Sequence, residues 1–97
     1  AIIKIRSFRM PIISEFYGLS IYMYNNGREH NPPHFHVFYG DMECVIDIHK
    51  CKKTEGKMPK NKLRLIIAWC EIHKDELLQN WELATKKMDL RDIAPLV

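Results

Sequence analysis

His34 and His36 stand one residue apart in the run His34-Phe35-His36-Val37-Phe38. On extended backbone, side chains two apart point the same way, so the two imidazoles share one side of a strand. With a carboxylate from Glu43 or Asp47, and with His30 from the preceding loop, they could hold a divalent metal. Imidazole with carboxylate suits zinc, nickel or iron. The same groups admit a second chemistry. A His–Asp pair such as His34 with Asp47 is a general acid–base unit, in which the carboxylate orients the ring and favours imidazolium. Histidines, a carboxylate, a tyrosine and nearby lysines suffice for metal-independent cleavage of RNA or another phosphodiester. A third reading needs no chemistry: a polar sheet face, solvated or covered by a partner, since a lone HxH pattern is short.

The elements that must place these residues are strands. Ile12 to Phe16 is a short apolar piece ending at Gly18. Leu19 to Tyr24 alternates, with Leu19, Ile21 and Met23 on one face and Ser20, Tyr22 and Tyr24 on the other, which predicts a half-buried strand. Asn25-Asn26-Gly27 carries turn chemistry, and Arg28 to Pro33 reads as a polar loop. His34 to Tyr39 and Met42 to Ile48 are strands joined by Gly40-Asp41, a two-residue hairpin loop. That loop pairs Tyr39 with Met42 and, counting back, His34 with Asp47. One face then carries Phe35, Val37, Tyr39, Met42, Cys44, Ile46 and Ile48 and should meet a helix. The other carries His34, His36, Phe38, Glu43, Val45, Asp47 and His49, with Tyr22 and Tyr24 beside it.

Near Met58 and Pro59 the apolar period changes from strand to helix. Lys60 to Lys87 reads as helix, and Leu63, Ile66, Ile67, Cys70, Leu77, Trp81, Ala84 and Met88 trace one apolar stripe. The stripe is interrupted at His73-Lys74, where Asp75 could cap a second helix. The pattern fits one long helix or two kinked ones. The expected fold is a small α+β domain: an antiparallel sheet of three to four strands with this C-terminal helix packed on one face.

The chain has 97 residues with 15 bases, 12 acids and a net charge of +3. Lys4, Arg6 and Arg9 fall in the first nine residues, which hold no acid, so residues 10–97 balance 12 bases against 12 acids. Global charge is therefore no argument for nucleic acid. Met10-Pro11 resembles a natural start, so residues 1–9 are expected to be a dispensable leader or extension and residues 10–97 the single domain. A local basic segment from Lys50 to Arg64 reads as a solvated loop and first helical turn; as a functional patch, Lys52, Lys53 and His49 would contact an anionic ligand. Three cysteines, Cys44, Cys51 and Cys70, without a CxxC pair argue against a disulfide framework and for a reducing compartment. Cys44 and Cys70 fall at core positions, and Cys51 sits among lysines. No apolar run approaches a membrane span.

Two familiar histidine patterns fit poorly. Histidine-triad hydrolases need a third alternating histidine, and cupins need more strands and a closer glutamate. The opening Met10-Pro11-Ile12-Ile13-Ser14-Glu15-Phe16-Tyr17-Gly18 and the run His30-Asn31-Pro32-Pro33-His34-Phe35-His36-Val37 match a different pattern. So do Val45-Ile46-Asp47-Ile48, Ala68-Trp69 and Asn80-Trp81-Glu82. Together they resemble the bacterial domain-of-unknown-function family 4160. The resemblance implies a short cytoplasmic protein of bacteria or their phages, often encoded beside a second small protein, as in toxin–antitoxin pairs. It implies no particular activity and no catalytic residues. The functional expectation is one member of such a two-gene module, acting through the histidine/carboxylate face, with RNA cleavage as the enzymatic version. The alternatives are a non-catalytic module that neutralises or scaffolds its neighbour, and a divalent-metal-binding protein. A small partner protein or a second copy of the chain is expected as partner, and a membrane is not.

Overall fold

The computed structural model describes residues 10–97. In chain order the elements are β1 (Ile12–Phe16), β2 (Leu19–Tyr22), β3 (His34–Tyr39), β4 (Met42–Asp47), β5 (Lys52–Gly56), α1 (Lys60–Ile72) and α2 (Lys74–Thr85). The strands form one five-stranded sheet in sequence order, and each neighbouring pair is antiparallel. The α+β class therefore holds, with five strands where three to four are expected. The leader assigned to residues 1–9 lies outside the described residues.

The additional strand is β5, in the basic segment read as a solvated loop. It pairs with β4 through Cys44↔Gly56, Val45↔Glu55, Ile46↔Lys53 and Asp47↔Lys52. Its sequence, Lys52-Lys53-Thr54-Glu55-Gly56, shows no apolar alternation because it forms the sheet's edge, where charged side chains discourage pairing with another chain. Gly56 is required where β5 meets β4. Its φ is 86°. A Cβ there would collide with the carbonyl oxygen of Glu43 and lie 2.8 Å from Cys44 Cα.

The β3–β4 hairpin has the register that a two-residue loop dictates, from Tyr39↔Met42 to His34↔Asp47. Phe35, Val37, Cys44, Ile46 and Ile48 are all buried. They meet the helices through Ile66, Trp69, Cys70, Leu77 and Trp81 in one core. The Trp69 ring lies edge-on to Phe35, with centroids 5.7 Å apart. Met42, at the hairpin tip, is exposed instead.

The helical stripe is two helices. His73, with φ −108° and ψ 22°, leaves helical geometry and ends α1. It also holds the cap position of α2, so Asp75 does not cap; Asp75 and Glu76 lie in the first turn, where negative charge complements the helix N-terminus. The chain after α2 is tied down. Asn80 is buried and clamps Arg91 twice, accepting from its N–H (3.0 Å) and donating Nδ2 to its carbonyl (2.9 Å). Trp69 Nε1 donates to the Ala94 carbonyl at 2.8 Å, and the Ile93 N–H donates to the Ile13 carbonyl at 2.8 Å. Among the described residues, no helix is long and apolar enough to cross a membrane.

Candidate metal centre

The loop between β2 and β3 brings a carboxylate to the histidines. Asn25-Asn26-Gly27 turns as its composition predicts: Arg28 N–H donates to Asn26 Oδ1 at 2.9 Å, and Gly27 has φ 74°. That turn sends Glu29 back over the start of β3. Glu29 Oε1 lies 3.0 Å from His34 Nε2 and 3.2 Å from His36 Nε2. The three ligand-type atoms fall within 4.8 Å of one another. Burial pushes the Glu29 carboxyl up, but the hydrogen bonds and charges of His34 and His36 outweigh it, so the group sits below its ordinary value.

The other nitrogen of each ring also faces oxygen. His34 Nδ1 is 2.9 Å from the Pro32 carbonyl oxygen, which can only accept, so this nitrogen carries the hydrogen. His36 Nδ1 is buried, has no hydrogen-bond partner, and lies 3.5 Å from Glu43 Oε2. Glu43 is held in turn by the Tyr22 hydroxyl, which donates to the same oxygen at 2.5 Å. Burial first, and then the Glu43 carboxylate, push the Tyr22 hydroxyl pKa well above its usual value, so it stays a donor.

Aromatic rings fix the orientation of the imidazoles. Tyr22 stacks on His36 with centroids 5.2 Å apart, and Tyr24 meets His36 edge-on at 4.9 Å. Trp81 of α2 lies 5.1 Å from His34. The sheet, the β2–β3 loop and the second helix thus converge on one pair of histidines.

The structure redistributes the residues singled out in the sequence. His34, His36, Glu43, Tyr22 and Tyr24 come together. Asp47 is the cross-strand neighbour of His34, but it does not form the expected ion pair. Its Oδ1 accepts the Lys50 N–H at 3.0 Å and closes the turn after β4, while both His34 nitrogens are engaged elsewhere. Glu43 is not in the triad either, because it sits on the far nitrogen of His36. His30 is exposed and lines a cavity of about 260 Å³ with Asn31, His34, Asp47 and Glu55. His49 and Lys52 are exposed, and Lys53 Nζ donates to the Gly56 carbonyl. Among the described residues, no hydrogen bond or ion pair joins these three to the histidines. Glu29 was the residue sequence reasoning missed. Its signal was the spacing E-x4-H-x-H, an acid in a loop long enough to fold back. Trp81, placed on the core-facing stripe, also flanks the site.

Fold and geometry together describe a small α+β domain with a histidine–carboxylate centre at one end of its sheet. The family model described as "Domain of unknown function (DUF4160)" matches residues 18–82, which include Glu29, both histidines and Trp81. That is more than half of the chain, and the chain belongs to this family. Comparison with curated proteins and with solved structures gave no match.

Proposed function

We propose that this protein binds a divalent transition metal through Glu29, His34 and His36. One observation carries the reading: both Nε2 atoms converge on a single carboxylate oxygen while both Nδ1 atoms face other acceptors. A neutral His34 that donates Nδ1–H to Pro32 presents a bare lone pair to Glu29. Lone pair against lone pair is repulsive, and either a proton on Nε2, which makes an imidazolium–carboxylate pair, or a metal ion between the two atoms relieves it. Ligands about 2.1 Å from a tetrahedral zinc stand about 3.4 Å apart, so the 3.0 and 3.2 Å found here need to open by a few tenths of an ångström. The Pro32 carbonyl and Glu43 are then the outer acceptors that metal-bound histidines require. Two imidazoles and a carboxylate suit zinc, nickel or iron, and a bound ion would supply Lewis-acid chemistry.

Elemental analysis of tag-free protein tests this. Metal is expected to co-purify with the wild type, and Glu29→Gln is expected to weaken binding by at least about tenfold. Asp47→Asn should retain the metal, because Asp47 serves the turn. Metal-free wild type that also refuses added zinc and nickel contradicts the proposal.

The chain Tyr22–Glu43–His36 favours a second reading, a metal-free acid–base unit that cleaves RNA or another phosphodiester. Activity that survives chelation and is lost in His36→Ala would select it. In either version we place the protein in a two-gene, toxin–antitoxin-like or defence module, which the family resemblance supports. A non-catalytic module that neutralises or scaffolds a neighbour-encoded protein is distinguished by partner binding that survives His36→Ala.

A further inference from the structure

Away from the histidines, two of the three free cysteines meet in the core. Cys51 Sγ lies 3.0 Å from Cys70 Sγ. Cys51 closes the turn between β4 and β5, and Cys70 lies on the buried side of α1. Both thiols point at one acceptor, the Ile48 carbonyl oxygen, at 3.5 Å from Cys51 and 3.9 Å from Cys70. A separate observation marks the position. Cys51 has φ 49°, in the left-handed region that side chains other than glycine and asparagine seldom adopt. A cysteine held there against local preference aims its sulfur at a second sulfur. Cys44, also buried, has no such neighbour among the described residues.

From this geometry we infer that Cys51 and Cys70 form a dithiol–disulfide pair, oxidised by a small disulfide such as oxidised glutathione. The exchange balances. One cysteine loses its proton and attacks the glutathione disulfide, and a glutathione thiolate leaves. The second cysteine, deprotonated in turn, attacks the mixed disulfide and expels the second thiolate. One protein S–S bond forms, one glutathione S–S bond breaks, and two protons pass to the two released thiols. The sulfurs need to close by about 1 Å to reach a bond of about 2.05 Å. The glutathione disulfide enters from the surface turn, where His49 and Lys50 are exposed beside Cys51. Cys51 is next to the exposed turn and Cys70 is fully buried on α1, so Cys51 is the thiol that attacks the glutathione disulfide and Cys70 the resolving partner. Oxidation would staple the β4–β5 turn to α1 and leave Cys44 as the single free thiol.

The test uses the full chain, folded and equilibrated in glutathione buffers from reducing to oxidising, then acid-quenched, denatured and alkylated. In the oxidising buffers the wild type is expected to lose two hydrogens in mass and to alkylate once, at Cys44. Digestion should yield a linked Cys51–Cys70 peptide, and the thermal midpoint should rise. Cys44→Ser should behave likewise, whereas Cys51→Ser and Cys70→Ser should show no protein disulfide and no oxidant-dependent midpoint. Three alkylated thiols in the oxidising buffers, a stable glutathione adduct, or a disulfide that includes Cys44 would overturn the inference.

Discussion

Glu29 ties a loop to a strand through charge, and its protonation should therefore be felt by the whole fold. The fold lowers its pKa, so the stabilisation is present above the unfolded value and is lost as pH falls through the folded one. The gap in thermal midpoint between wild type and Glu29→Gln is expected to be widest near neutrality. It should close as pH drops below the usual glutamate value of about 4.3. A gap that widens towards acid would contradict this role for Glu29. Proton competition for the imidazoles would give the proposed metal binding the same direction, weaker as pH falls. Tyr22 permits a second experiment at this scale. Tyr22→Phe removes one hydrogen bond to a carboxylate that is itself half in solvent, and should cost about 1 kcal/mol in denaturant unfolding. The ring's stacking on His36 and Phe38 is kept, so a loss of several kcal/mol would mean that Glu43 orders more of the sheet than its contacts show.

At the scale of elements, the β3–β4 hairpin was readable because period-two alternation and a glycine-containing loop agree on one register. Strand β5 was not readable, since an edge strand with lysines on it has no apolar face to declare it. Gly56 is the residue that exposes the difference: in a loop it would tolerate alanine, but at its observed φ and against Glu43 it cannot. Gly56→Ala is expected to destabilise by about 1–3 kcal/mol, as overpacking does, and a neutral result would argue that β5 is unpaired in solution. The break at His73 left a trace in the interrupted stripe, yet composition alone could not choose between a kink and a continuous helix. The triad was half legible. The histidine pair follows from strand alternation, but Glu29 arrives through the path of an eleven-residue connection, residues 23–33, and loop paths carry no periodic signal.

Across the whole molecule, the tail after α2 closes the core, and the histidine–carboxylate cluster draws on a strand and a loop, with Trp81 of a helix packed beside it. Ile93 is 4% exposed and bonds to β1 through its N–H, so it behaves as a core residue despite lying outside any element. Ile93→Ala should cost about 2–5 kcal/mol. A change under about 0.5 kcal/mol, the range for surface sites, would show the tail to be undocked. Because the centre joins separate elements, a ligand that binds only the folded chain should stabilise all of it together. Calorimetric titration of tag-free protein with zinc at neutral pH, followed by thermal unfolding of the loaded sample, tests the central claim most directly. Saturable binding of one ion per chain with a raised midpoint, weakened by at least about tenfold in Glu29→Gln and His36→Ala and kept in Asp47→Asn, is the expected result. Zinc binding and midpoint that are unchanged by Glu29→Gln would contradict it.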